Sequence, residues 1–330
     1  MGIKIIGTGS YAPEKILTNS DLEKMVDTSD EWIRTRTGIS ERHIAAPDEA
    51  ASDMALHACR GALEMAETSP DEIDLIVLAT ISGDKPFPST ACFLQRKLEA
   101  FNATCFDIQA ACSGFIYGIE VAEALISKAD SKYKKALVLG VEKITYLTNW
   151  EDRNTCVLFG DGAGAIVVEK SDDGDDGSRV LGSSLFSNGT YTDILDVPAG
   201  GSAKPIDEKV LANKEQYIRM EGKEVFKLAV NAMVGACKEV LDKASVSSQD
   251  IRWLIPHQAN MRIITAVGKR LGLTEKNVFI NVDRYGNTSA ASVAIALDEL
   301  VRSGKVDRGD LILLTAFGAG LTWGASLLRW

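Results

Sequence analysis

The chain has 330 residues, is 45% hydrophobic and 25% charged, and carries a formal charge of −10 from 46 acidic and 36 basic residues. Such fractions belong to a soluble globular protein with enough apolar residues for about two domains. They exclude a membrane-spanning protein, since no apolar run approaches the roughly 18 residues of a span, and the acidic balance argues against nucleic acid as the main partner.

The opening MGIKIIGTGS reads as a strand followed by glycine and lacks the features of a signal peptide. A first set of elements then alternates. A helix over 53–67 and a strand over 74–80 are followed by a helix over 90–100 and a strand over 103–108. A helix over 113–128 and two strands, 135–141 and 156–169, complete the set. An acidic, Gly-bearing stretch, Ser171 to Ser178, contains no apolar residue and reads as a linker. The series then repeats: strand 179–186, helix 223–244, strand 252–256, helix 261–272, strand 277–282, helix 289–304 and strands 310–317 and 321–330. Alternating strands and helices imply parallel sheet with helices packed on it, and the continuous apolar strands imply cover on both faces. The chain is therefore expected to be α/β, with two duplicated βαβαβαββ halves, 1–171 and 172–330.

Three residues stand out against this layout. Cys112 lies in FDIQAACSGF, where a strand meets a helix, His257 follows a strand in WLIPHQAN, and Asn287 lies in RYGNTSAAS before a helix. Catalytic groups of parallel α/β sheets sit at the carboxyl ends of strands, and all three positions obey that rule. A thiol with distant His and Asn partners suggests acyl transfer through a thioester. Only the thiolate attacks, and a helix N-terminus lowers the thiol pKa, so the helix after Cys112 is expected to do so. Taken singly, each residue has a plainer reading: a packed thiol, a satisfied core histidine, a Gly-Asn turn. Cys59, Cys92, Cys105, Cys156 and Cys237 are read as core residues, and without a C-x-x-C pair a reduced chain is expected. His43 and His57 have no motif around them. No His/Cys/Asp cluster has zinc spacing, and GDGAG precedes a strand rather than the helix a dinucleotide loop must open.

QAACSGF, HQAN and YGNTSAAS, with the early TSDEWIRTRTGISERH and the late FGAGLTWG, resemble the β-ketoacyl-acyl-carrier-protein synthase III family along nearly the whole chain. The resemblance implies the thiolase fold, a layered α-β-α-β-α structure. It also implies decarboxylative condensation of a short acyl-coenzyme A primer with malonyl-acyl carrier protein, with no metal and no cofactor beyond coenzyme A as substrate. Cys112 would carry the acyl group, and His257 and Asn287 would stabilise the enolate. The backbone N–H groups of Cys112 and of the turn at Ala319 would hold the oxyanion. Coenzyme A would contact Thr28, Trp32, Arg36, Arg153, Gly222, Phe226, Ala259, Asn260 and Phe317, its adenine sandwiched between Trp32 and Arg153. Lys223 stands where relatives carry Asn. Phe87 would cap the acyl pocket across a homodimer interface, and Lys227, Arg262, Lys269 and Arg270 would meet the acidic carrier protein. A cytoplasmic enzyme is implied. Two rivals stay open: a Cys-His-Asn condensing enzyme of secondary metabolism (polyketide or quinolone type) and a non-catalytic subunit of the same fold. A thiolase would need a second cysteine after Cys237. A hydroxymethylglutaryl-coenzyme A synthase would need a glutamate, for which the sequence offers no clear candidate near Ser82. A cysteine hydrolase is disfavoured by the duplicated layout.

Overall fold

The computed structural model describes residues 2–171 and 177–330, so most of the acidic linker, with the expected boundary between the halves, lies outside the described residues. The first part runs β1 (Gly2–Tyr11), α1 (Asp30–Thr37), α2 (Ala51–Met65), β2 (Leu75–Ala79), α3 (Thr90–Leu98), β3 (Thr104–Ile108), α4 (Gly114–Ile126), β4 (Lys135–Glu142) and β5 (Gly162–Ser171). The second runs β6 (Arg179–Ser187), α5 (Gly222–Ala244), β7 (Trp253–Pro256), α6 (Met261–Arg270), α7 (Ala291–Arg302), β8 (Leu311–Gly318) and β9 (Thr322–Arg329). Each part builds one mixed sheet. The order is β1-β5-β4-β2-β3 in the first and β6-β9-β8-β7 in the second. In both, the last strand pairs antiparallel with the first and with the strand before it, and the remaining strands run parallel.

Helices α4 and α7 lie between the two sheets and touch strands of both, whereas α2 covers the outer face of the first sheet and α5 that of the second. The result is five layers, helix-sheet-helix-sheet-helix. Sequence accounts for the placement: nearly every residue of α7 is buried, Ala291 through Asp298 without a break, as a helix covered all round requires. β2 is buried at all five positions, as in a strand covered on both faces. Gly140 on β4 lets α7 come close, because a Cβ there would sit 2.2 Å from the Ala290 carbonyl oxygen.

Two expected strands are corrected. The sequence 156–159 forms turns, and β5 begins only at Gly162. The reason is tertiary: Leu158 O accepts the Asn287 N–H at 2.8 Å and Gly160 N–H donates to Asn287 O at 3.1 Å, so this run clasps the Asn287 loop instead of extending the sheet. The run 277–282 makes a single bridge, Leu254 to Val278, beside β7. Beyond it the Gln258 side chain substitutes for a strand. Its amide nitrogen donates to Phe279 O at 3.2 Å, and its amide oxygen accepts from Asn281 N at 2.9 Å and Val282 N at 3.2 Å. Helix α1 adds to the expected elements, and its signals are local: the Ser29 hydroxyl accepts the Trp32 N–H at 3.1 Å, Asp30 and Glu31 occupy the first turn, and Gly38 at φ 81° ends it.

Candidate active site

The polypeptide leaves β3 at Ile108 and must turn sharply into α4. Ala111 carries the strain of that turn at φ 43°, and Cys112 sits in the 3-10 turn Ala111–Ser113, two residues before α4 begins at Gly114. Contacts from the other half hold this conformation. Gly318 packs so closely that a Cβ would lie 2.6 Å from the Cys112 nitrogen. Ser113 Oγ donates to Thr322 Oγ1 at 2.7 Å, and Thr322 Oγ1 donates to Ala110 O at 2.8 Å. The sulfur is almost wholly buried. Burial pushes the thiol up to about 12, against a neighbouring Ser289 hydroxyl and the backbone N–H that favour thiolate, and the Glu142 charge adds to the rise. The expectation of a lowered thiol pKa is thus corrected: without substrate the desolvation of Cys112 outweighs its position at a helix start.

His257 follows β7 and is pinned by its N–H to Thr315 O at 2.7 Å. Its Nδ1 lies 2.6 Å from the Ser292 hydroxyl of α7, and burial lowers the imidazole to about 4, so the ring is neutral. Asn287 has its backbone clasped by Leu158 and Gly160, and its Oδ1 accepts the Ser289 N–H at 2.9 Å. Cys112, His257 and Asn287 line one cavity of about 1720 Å³ at the junction of the two halves. Residues 145 and 30 positions apart in sequence are thereby brought together.

The other expected site residues divide into two groups. Trp32, Arg36, Gly222, Phe226, Ala259, Asn260, Arg262, Phe317 and Ala319 line the same cavity, as does Lys223. Thr28, Phe87, Arg153, Lys227, Lys269 and Arg270 stand outside its lining. The Arg153 guanidinium carbon is 4.5 Å from the Trp32 ring centroid, which leaves no space for a third plane. The expected adenine sandwich is therefore not preformed, and Arg153, ion-paired to Asp27 at 3.6 Å, would have to swing aside. Phe87 is 83% exposed on this chain. Lys227 pairs with Glu224 at 3.9 Å, and Arg270 donates to Asn231. Arg262 stacks over Phe226 at the cavity rim, 5.8 Å from ring centroid to guanidinium carbon.

Several residues of the site were not legible in the sequence. Ser292 on α7 and Gln258 beside His257 act through hydrogen bonds set by the fold. Glu142, at the end of β4, is fully buried and reaches Thr80, Ile81, Ser82 and Ser289. Burial raises its carboxyl to about 7 although four hydrogen bonds pull it down. Glu142 reaches Ser82 from 60 residues further along the chain, a separation no local pattern discloses. Arg42 is buried as well, donating to Leu17 O, Asn19 Oδ1 and Val157 O, and it braces the turns that hold Asn287. An arginine in a polar-looking run gives no hint of such burial.

Known proteins carry the same pattern. The family described as 3-oxoacyl-(acyl-carrier-protein) synthase III matches residues 106–189, and its C-terminal counterpart matches 241–330. The β-ketoacyl-(acyl-carrier-protein) synthase III of Caldanaerobacter subterraneus subsp. tengcongensis is 55% identical over 326 residues, 99% of this chain and 97% of that one. The crystal structure of the 3-oxoacyl-(acyl-carrier-protein) synthase III of Aquifex aeolicus VF5 is 51% identical, covers 100% of both chains and superposes with a TM-score of 0.91. The priming β-ketosynthase of the R1128 polyketide biosynthetic pathway is 37% identical, covering 99% of this chain and 96% of its own, with a TM-score of 0.89. The chain therefore belongs to the 3-oxoacyl-(acyl-carrier-protein) synthase III family, the acyl-transferring condensing enzymes of the thiolase fold that start fatty acid synthesis.

Proposed function

We propose that the chain loads a short acyl group from coenzyme A onto Cys112 and condenses it with malonyl-acyl carrier protein, releasing carbon dioxide. The observation that carries this reading is the meeting of Cys112, His257 and Asn287 in one cavity between the halves. The Cys112 thiol gives up its proton as its sulfur attacks the primer thioester; the new carbon–sulfur bond replaces the one to coenzyme A, which leaves as the thiol carrying that proton. A Ser292 hydroxyl donating to Nδ1 of His257 leaves the ring proton on Nε2, so that histidine and asparagine can act as two neutral donors to the enolate oxygen of the malonyl thioester. Loss of carbon dioxide leaves a carbanion that attacks the acyl-enzyme carbonyl; the adduct collapses with cleavage of the acyl–sulfur bond, which releases 3-oxoacyl-acyl carrier protein and returns Cys112, reprotonated, to its thiol. The Cys112 and Ala319 backbone N–H groups are suited to the adduct's tetrahedral oxyanion, since Gly318 presses that turn onto Cys112. This route asks for no metal and no redox cofactor. Coenzyme A would enter past Trp32 and Arg36, with Thr28 and Arg153 at its nucleotide end and Asn260 along the pantetheine. Arg262, Lys227, Lys269 and Arg270 would receive the carrier protein, and Phe87 would close the acyl pocket of a second copy in a homodimer. The two halves, 1–171 and 172–330, are read as copies of one ancestral unit. Among the described residues no helix is long and apolar enough to cross a membrane, and a cytoplasmic location is proposed. The priming polyketide enzyme among the relatives keeps a secondary-metabolic pathway as the second reading.

Intact-protein mass after incubation with a panel of acyl-coenzyme A thioesters tests the proposal. A short acyl adduct that is absent from Cys112→Ser supports it and names the primer. No adduct from any short donor would overturn coenzyme A priming.

A further inference from the structure

Glu142 is a fully buried carboxylate that meets the site through Ser289, a residue of the cavity wall, and that the proposed reaction does not use. Its partners are hydroxyls and a backbone N–H. It accepts from Ile81 N at 3.1 Å, Thr80 Oγ1 at 3.2 Å and Ser82 Oγ, all from the segment after β2, and from Ser289 Oγ at 3.0 Å. The first three belong to the same half as Glu142, and the fourth comes from the loop of the other half that carries Asn287. Burying a carboxylate without a cation is costly, so its retention here needs a reason beyond packing.

Ser289 indicates the reason. Its φ of 47° is a conformation that residues other than glycine hold only when their surroundings enforce it. In that conformation its N–H donates to Asn287 Oδ1 at 2.9 Å. With the oxygen end of the Asn287 amide engaged, the nitrogen end is the one free to donate into the cavity, the orientation an enolate requires. We propose that Glu142 is a positioning residue: by holding the Ser289 hydroxyl it keeps the Ser289 turn in place, and that turn aims the Asn287 amide. The inference rests on the role proposed above for Asn287.

It separates the two steps of the reaction. Asn287 serves the malonyl step, so loss of the Glu142–Ser289 link should slow condensation. Removing the Glu142 charge should not slow acylation, because that charge opposes the Cys112 thiolate. The test uses Glu142→Gln, Ser289→Ala and Asn287→Ala. Ser289→Ala leaves the backbone N–H and three of the donors to Glu142 in place, so it reports on the link even where Glu142→Gln folds poorly. Acylation is followed by intact mass, and condensation by single turnover of preformed acyl-enzyme with malonyl-acyl carrier protein. Glu142→Gln is expected to slow condensation about tenfold to a hundredfold with acylation as fast as in the parent; Ser289→Ala is expected to slow condensation as much and acylation less, since its hydroxyl also favours the Cys112 thiolate; the double variant should condense no worse than the worse single one. Condensation at the parental rate in folded Ser289→Ala, or equal loss in both steps with a lowered Tm, would overturn the positioning role. An Asn287→Ala variant that condenses normally would instead refute the assignment of Asn287 itself.

Discussion

The two halves use one order of elements for different ends, and they differ most at the edge of each sheet. In the first half β3 pairs with β2 over five residues, from Thr104 to Ile108, and delivers the polypeptide as a rigid strand into the Cys112 turn. In the second half the matching run, 277–282, keeps one bridge, and the Gln258 amide bonds the rest. A nucleophile needs a stiff approach, since it must be strained into place; the strand and the φ of 43° at Ala111 provide it. The half with the polar pair gains something else. By ending the ladder early, it lets Gln258 lie against the segment that leads to Asn287, so His257 and Asn287 are braced from the same position. The shared order of elements places both turns at the junction, and the edge strands are where the surroundings of the two turns part.

Breaking the polar side of this comparison should give the largest effect. His257→Ala and Asn287→Ala are expected to retain the Cys112 acyl adduct by mass but to lose condensation about a hundredfold to a thousandfold, as loss of a preorganised oxyanion donor does. Gln258→Ala removes the side chain that stands in for a strand and leaves two buried N–H groups and two carbonyls short of partners. A loss of about 2–4 kcal/mol in urea unfolding is expected, well above that of a surface amide.

A pH series sharpens the comparison, because the halves bury an imidazole and a carboxyl perturbed in opposite senses. His257 is depressed from 6.5 to about 4, so the unfolded chain takes up a proton before the folded one. Stability from this group is full above pH 6.5 and is lost as pH falls towards 4, at about 1.4 kcal/mol per unit. Glu142 is raised from 4.5 to about 7, so its contribution is full below pH 4.5 and is lost as pH rises through 7. The two oppose each other between these values. Urea unfolding of His257→Asn across that window should therefore show stability rising towards acid relative to the parent; parallel curves would mean that His257 is not held neutral. The smallest effect is expected at the rim: Arg262→Glu should weaken condensation with the carrier protein by about tenfold, at low salt most of all, and spare acylation.

Much of this was legible in the residues. Alternating apolar runs disclosed the duplicated α/β order, because covered strands and amphipathic helices leave different periodicities. Glycine and small residues around Cys112, His257 and Asn287 marked turns at strand ends, and the motif set disclosed the family. What stayed hidden was set by distance in space. The sequence 156–159 has the composition of a strand, yet it clasps Asn287. The acidity of Cys112 was misread because local position favours thiolate while burial, a tertiary quantity, raises the pKa. Glu142 shows nothing locally, since its meaning comes from hydroxyls at 80, 82 and 289. Sequence by itself determined the order of most elements and singled out the three side chains proposed to carry the chemistry, because these follow from local propensity and pattern. Only the tertiary structure decided the protonation state of each group, the orientation of the Asn287 amide and the closed stack of Arg153 on Trp32. Those depend on desolvation and on hydrogen bonds between segments that the chain brings together only when both halves have closed on one another.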